Sequence, residues 1–197
     1  MIELPKSQLK MEQVDLQYDT LPSLLQLTEQ VSYEGKLIGK LHPIDFKPIL
    51  PLLSQLNQPI NLAMNFNGKG KQIDCQTFSL DDNKHLELRG KTSINLQKPQ
   101  TSLFANISKL HVNQEGIVYL MEGLTGKVPD IMKNLQFIDF QGTTQGTLNH
   151  LRADGLLETK AGILHADVTM EIDSEYNRSY SGTLSSSDLD LGILTGD

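Results

Sequence analysis

Tryptophan is absent from the 197 residues, and phenylalanine and tyrosine bring the aromatic share to only 6%. Large rings normally dominate the energetics of a core, so a compact globule organised around them is excluded. Cysteine is nearly absent too. Cys75 is alone, which removes any internal disulfide and any thiolate zinc site. Its place in an alternating run marks it as a buried structural thiol. No stretch approaches the roughly 20 apolar residues of a membrane span, and the opening "MIELPKSQLK" has no apolar signal core. The charge is −7, with 17 Lys and Arg mixed among 24 Asp and Glu. No basic run reaches the density of a phosphate-binding face, so nucleic acid is not expected as a partner. At this length, 38% hydrophobic content suits one domain or one slab of something larger.

What the chain has in quantity is two-residue periodicity. Val31, Tyr33, Gly35, Leu37, Gly39 and Leu41 alternate with mostly polar residues, and Ile60, Leu62, Met64 and Phe66 follow. "NGKGK" then reads as a hairpin turn in which glycine supplies the positive φ. Ile73 and Cys75 keep one phase while Phe78 and Leu80 take the other, which predicts a β-bulge. Leu86 through Leu96 forms the cleanest strand, closed by "QKPQ". Ile138 to Leu148 and Leu164 to Ile172 repeat the style, the latter after a "TKAG" turn, and Leu184, Leu189 and Leu191 close the series. One wet and one dry face per strand is the pattern of antiparallel sheet.

Helices are few. Phe46, Ile49, Leu50, Leu53 and Leu56 recur at helical spacing with Pro48 near the start. Asn113 is placed to cap a second helix bearing Ile117, Leu120, Met121 and Leu124, and Asp19 a third bearing Leu21, Leu24, Leu25 and Leu27. Strand and helix combine into a repeated phrase. Tyr33-x-Gly35-x-Leu37 leads into Ile44-Asp45-Phe46, and Tyr180-x-Gly182-x-Leu184 leads into Leu189-Asp190-Leu191. Looser copies start at Ile107 and Val14. The whole chain, 1–197, therefore reads as one segment with internal strand–helix repeats near 9–30, 31–58, 101–126 and 178–197. The last copy lacks a helix body, which leads to the expectation of a piece of a longer protein.

Residues able to do chemistry do not converge. His42, His85, His111, His150 and His165 have no histidine at i+3 or i+4 and form no metal-binding signature. "GKGK" at Gly68–Lys71 precedes strand rather than helix, so it is a turn and not a phosphate loop. The pairs Asp81–Asp82 and Asp188/Asp190 fall at a turn and at a helix entry, where acids favour the dipole. The serines at 185–187 have no nucleophile elbow around them. No enzyme, metal or cofactor is expected. What remains is the dry face. Leu86, Leu88, Ile94, Leu96, Ile138, Phe140, Leu148, Leu164, Val168, Met170 and Ile172, from the purest alternations, are the candidate lining of an apolar surface. A closed barrel or sandwich would seal that surface, and an open curved sheet would leave it as a trough.

The repeated phrase, above all "GLLETKAGIL" followed by "YSGTLSSSDLDLG" within Ile138–Leu194, resembles the periplasmic portion of the TamB translocation-and-assembly family. More broadly it is similar to AsmA-like repeating β-groove proteins. The resemblance implies a mainly β fold, a long curved antiparallel sheet folded into a groove, with a few short amphipathic helices. It further implies a periplasmic segment of a protein anchored in the inner membrane, working with an Omp85-type outer-membrane barrel. The expected cargo is phospholipid, its acyl chains held against the lining residues above, in support of outer-membrane biogenesis. The alternatives are a chaperone-like module for unfolded outer-membrane strands and a passive structural repeat.

Overall fold

The computed structural model describes residues 6–17, 31–46, 56–96, 101–147, 149–173 and 177–196. Ten strands make one antiparallel sheet whose spatial order is the chain order. They are β1 (Gln8–Gln17), β2 (Ser32–Leu41), β3 (Ile60–Lys69), β4 (Gln72–Asp81), β5 (Leu86–Asn95), β6 (Ser102–Asn113), β7 (Phe137–Thr147), β8 (His150–Thr159), β9 (Gly162–Ile172) and β10 (Arg178–Ser185). The sheet does not close, since β1 and β10 each have one neighbour. The helices are α1 (Gln114–Thr125), α2 (Asp130–Asn134) and α3 (Leu191–Thr195), with a 3₁₀ turn at Pro43–Phe46. The fold is thus mainly β and antiparallel, as the alternation required.

Turn chemistry sets each hairpin. Gly70 adopts φ +57° between β3 and β4, where a side chain would be strained. Between β4 and β5 the Asp82 carboxylate does the work. Its Oδ1 accepts from the backbone N–H of Lys84, His85 and Leu86 at 3.1, 2.6 and 2.8 Å. The bulge foreseen between Cys75 and Phe78 is present in the β4–β5 register. Further shifts interrupt β1–β2, β3–β4, β5–β6 and β6–β7. Bulges bend strands and increase their twist, so a row of them near mid-strand curves the sheet.

The strand directions put every described helical segment at one end of the sheet. β2, β6 and β10 run the same way, four strands apart, and lead respectively into the 3₁₀ turn, α1 and α3. A cap or turn residue at each of these junctions is tied to the segment that starts the preceding strand. Asp45 accepts from the Ser7 N–H at 2.7 Å ahead of β1. Asn113 donates through its side chain to the Lys84 carbonyl at 2.8 Å ahead of β5, and the Asp190 N–H donates to the Ala161 carbonyl at 2.8 Å ahead of β9. Asn113 is also the N-cap of α1, accepting from Gly116 N–H at 2.9 Å.

Two sequence expectations change. The phrase starting at Val14 begins on β1, which runs against β2 and ends at Gln17, at the opposite end of the sheet from the ends of β2, β6 and β10. The last copy does carry a helix, α3, capped by Asp190 and ended by Gly196 at φ +80°. The helices expected after Phe46 and Asp19 lie almost wholly outside the described residues.

Among the described residues the buried core is thin. Val31, Leu56, Cys75, Ala105, Val112, Ile117, Phe140, Ala161 and Ala166 are its apolar members, and no large described side chain is fully sealed.

Candidate functional site: an open apolar face

Cross-strand register decides which side chains share a face, and here it collects nearly all the apolar ones on one side. Leu62, Leu80, Leu88, Leu110, Phe140, Leu157 and Leu164 stand opposite one another in a single line from β3 to β9. A second line crosses all ten strands, from Met11, Leu37, Met64 and Phe78 to Gly90, Ile107, Gly142, Gly155, Ala166 and Leu184. A third holds Phe66, Cys75, Thr92, Ala105, Thr144, Ala153 and Val168. The fourth starts at Leu16 and Tyr33, passes Ile73, Ile94 and Leu103, and ends at Leu151, Met170 and Tyr180.

These lines have relief. From β5 to β9 the two middle lines carry mainly small residues and the two outer lines carry mainly leucine, isoleucine, phenylalanine and methionine. Glycine permits close approach in the middle. A Cβ on Gly155 would sit 2.2 Å from the Gln141 carbonyl oxygen and 2.9 Å from Cζ of Phe140, so the Phe140 ring packs down over the glycines of β7 and β8. The face is also drier than its reverse. Ala105 and Ala166 on it are 8% and 7% exposed, whereas Ala63 on the other face is exposed.

The reverse face is polar and paired. Arg152 grips Asp167 through Nε and Nη2 at 2.8 and 2.7 Å, and His111 meets Asp139 at 2.6 Å. The Arg152 guanidinium holds the Asp167 carboxyl below the usual carboxylate range. An open hollow of about 430 Å³ lies on this side, where Lys36, Thr77, Arg89 and Lys91 border Ala63. On the apolar side, the helical end holds an enclosed cavity of only about 20 Å³ beside Leu56, Leu86, Tyr119 and Leu120.

Leu86, Leu88, Ile94, Ile138, Phe140, Leu164, Val168, Met170 and Ile172 all come to the apolar face. Leu96 does not join them as a strand residue. It lies one position beyond β5, 45% exposed, with its N–H donating to the Lys71 carbonyl, because pairing stops where the β5–β6 connection begins. Leu148 lies outside the described residues. Leu103, Leu110 and Leu157 were missed as lining residues. The bulge between Ile107 and Leu110 breaks the period in β6, and Leu156, pointing the other way, blurs it in β8.

The nearest approach to a reactive constellation is at the helical end. His85 Nδ1 lies 2.8 Å from Asp82 Oδ2, and its ring stacks on Tyr119 with centroids 5.5 Å apart. Burial pushes the Asp82 carboxyl up, but the N–H groups of His85, Leu86 and Lys84 and the His85 ring outweigh it and leave the group below its ordinary value. Tyr119 Oη accepts from the Asn57 and Gln58 N–H groups. These contacts fasten the β4–β5 turn and α1 to the sheet end. Among the described residues, no cluster of three or more His, Cys, Asp or Glu could hold a metal ion. Burial raises the Cys75 thiol pKa, with the Asp74 charge adding to the effect.

The chain matches no family profile, no curated protein and no solved structure.

Proposed function

We propose that the chain is a groove segment of the AsmA-like, TamB-type kind, holding phospholipid acyl chains on their way between two membranes. The observation that carries this reading is the apolar face spanning ten strands, most of it half-buried, with helices at only one end of the sheet among the described residues. Each methylene leaving water gains about 0.8 kcal/mol, so carrying a bare tail through water costs on the order of ten kcal/mol. An apolar lining removes most of that cost. Its contacts are non-directional, so no single position traps the tail. At about 4.8 Å per strand, one leaflet's depth, half of a roughly 30 Å hydrocarbon core, corresponds to about three strands. Ten strands are then long enough for a tail to move from one stretch of lining to the next while the head group stays in water at the open side.

The test is capture. Photo-crosslinking side chains at Leu88 and Val168, with mass spectrometry of the protein drawn from a diderm bacterial envelope, are expected to trap phospholipid. Absence of lipid at both positions refutes the reading, and capture of extended peptide instead supports a chaperone role.

A further inference from the structure

The two middle lines of the apolar face are both built from small residues, but only one of them stays hollow. In the second line aromatic rings lie over the glycines and take up the space they leave. A Cβ on Gly90 would sit 3.1 Å from Cε1 of Phe78, and one on Gly142 would sit 2.8 Å from Cζ of Phe140, whose ring also covers Gly155. Ile107 fills the same line between Gly90 and Gly142. The third line has small side chains and no glycine from β5 to β8, where Thr92, Ala105, Thr144 and Ala153 follow one another, and Val168 continues it on β9. Thr92 donates its hydroxyl to the Phe104 carbonyl at 3.0 Å, which satisfies its polar atom at the backbone. Beyond the third line, Ile94, Leu103, Leu151 and Met170 stand in the fourth, interrupted only by Gly146 on β7. Toward β4 and β3 the third line closes, with Cys75 only 2% exposed and Phe66 opposite it.

We infer that the third line, from β5 to β9, seats one acyl chain lengthwise across the strands, so that the groove takes its lipid by a single chain. The inference rests on the lipid-carrying reading and adds to it a path and a substrate class. Side chains on one face of a strand recur about every 6.8 Å, at roughly 3.4 Å per residue. Carbons in contact sit about 4 Å apart, so a line of that width admits one polymethylene chain. A second chain meets the Phe78 and Phe140 rings on one side and the fourth line on the other. From β5 to β9 the line runs about 19 Å, at roughly 4.8 Å per strand. That exceeds the depth of about 15 Å that half a bilayer's hydrocarbon gives one tail. The ligand class is then any lipid that offers one such chain, whether it has one tail or two. Ala153 and Thr144 set the depth of the seat, because a larger side chain at either stands in the path. They are the specificity-determining residues.

Strand β8 presents all four lines in order, as Leu157, Gly155, Ala153 and Leu151, so one strand carries the comparison. The whole chain and its Ala153→Phe, Leu157→Phe and Leu151→Phe variants are loaded with lysopalmitoyl- or dipalmitoyl-phosphatidylcholine. Bound lipid per protein is read by quantitative mass spectrometry, with Tm alongside. The wild-type chain is expected to bind both lipids and to release one as it takes up the other. Ala153→Phe is expected to weaken both about tenfold, as a chain lifted clear of contact over roughly two methylenes should, while the two outer variants keep their load. Thr144→Leu, one strand away in the same line, is expected to act alike and is judged in its place if Ala153→Phe unfolds the chain. A folded Ala153→Phe chain with an undiminished load overturns the inference and leaves lipid carriage standing. So does an equal loss from all three β8 variants, or a single-chain lipid that fails to displace the two-chain one. A wild-type chain that binds neither lipid removes the lipid-carrying reading and this inference with it.

Discussion

Replacing Val168 by aspartate separates holding a tail from merely folding. Val168 sits in the third line of the apolar face, between Ala153 on β8 and Gly182 on β10, and is half-buried. With the face empty, an aspartate there can keep its water, so the fold is expected to survive with Tm lowered by only a few degrees. A tail crossing β9 has two options. It can strip the carboxylate of water at a cost of several kcal/mol, or it can stand clear and forfeit contact for about four methylenes. The second option costs about 3 kcal/mol at roughly 0.8 kcal/mol per methylene, and the cheaper route sets the effect. Bound phospholipid should therefore fall roughly a hundredfold, since about 1.4 kcal/mol is a factor of ten. The assay is lipid retained per protein by quantitative mass spectrometry, alongside Tm. Ala63→Asp, at an exposed site on the polar face of β3, is the matched control and should retain lipid normally. A Val168→Asp protein that folds and still carries its full lipid load refutes the reasoning, whatever the control does.

Asp82→Ala leaves three turn N–H groups without their acceptor and should cost about 2–4 kcal/mol in urea unfolding. Because the Asp82 pKa is lowered on folding, its contribution is fully present above the unfolded value near 3.9. It is lost as pH falls through the folded pKa, so the wild-type advantage over Asp82→Asn should shrink in acid and not in base. Gly155→Ala forces a Cβ against the Gln141 carbonyl and the Phe140 ring; a loss of about 1–3 kcal/mol by chemical denaturation is expected. Asn113→Ala removes the α1 cap and the bond to Lys84, and should cost about 0.5–2 kcal/mol, with faster amide exchange in the first turn of α1.

How much of this was written in the sequence depends on the range of the interaction concerned. Alternation placed Leu88, Phe140 and Val168 on dry faces, because neighbouring side chains on a strand must point oppositely. Local rules likewise identified the Gly70 hairpin, the cap at Asn113 and the slip after Cys75, each decided within a few residues. Length and breaker signals were weaker guides, so Leu96 was carried one step too far.

Alternation along one strand says nothing about the next. That Gly90 faces Phe78 and Ile107, that Leu88 and Leu164 fall in one line through Leu110 and Leu157, and that β1 reverses the direction of its repeat all follow from pairings across the sheet. Local sterics suffice to make the strands, but the relief of the face comes from register, which only partners distant in the chain can set.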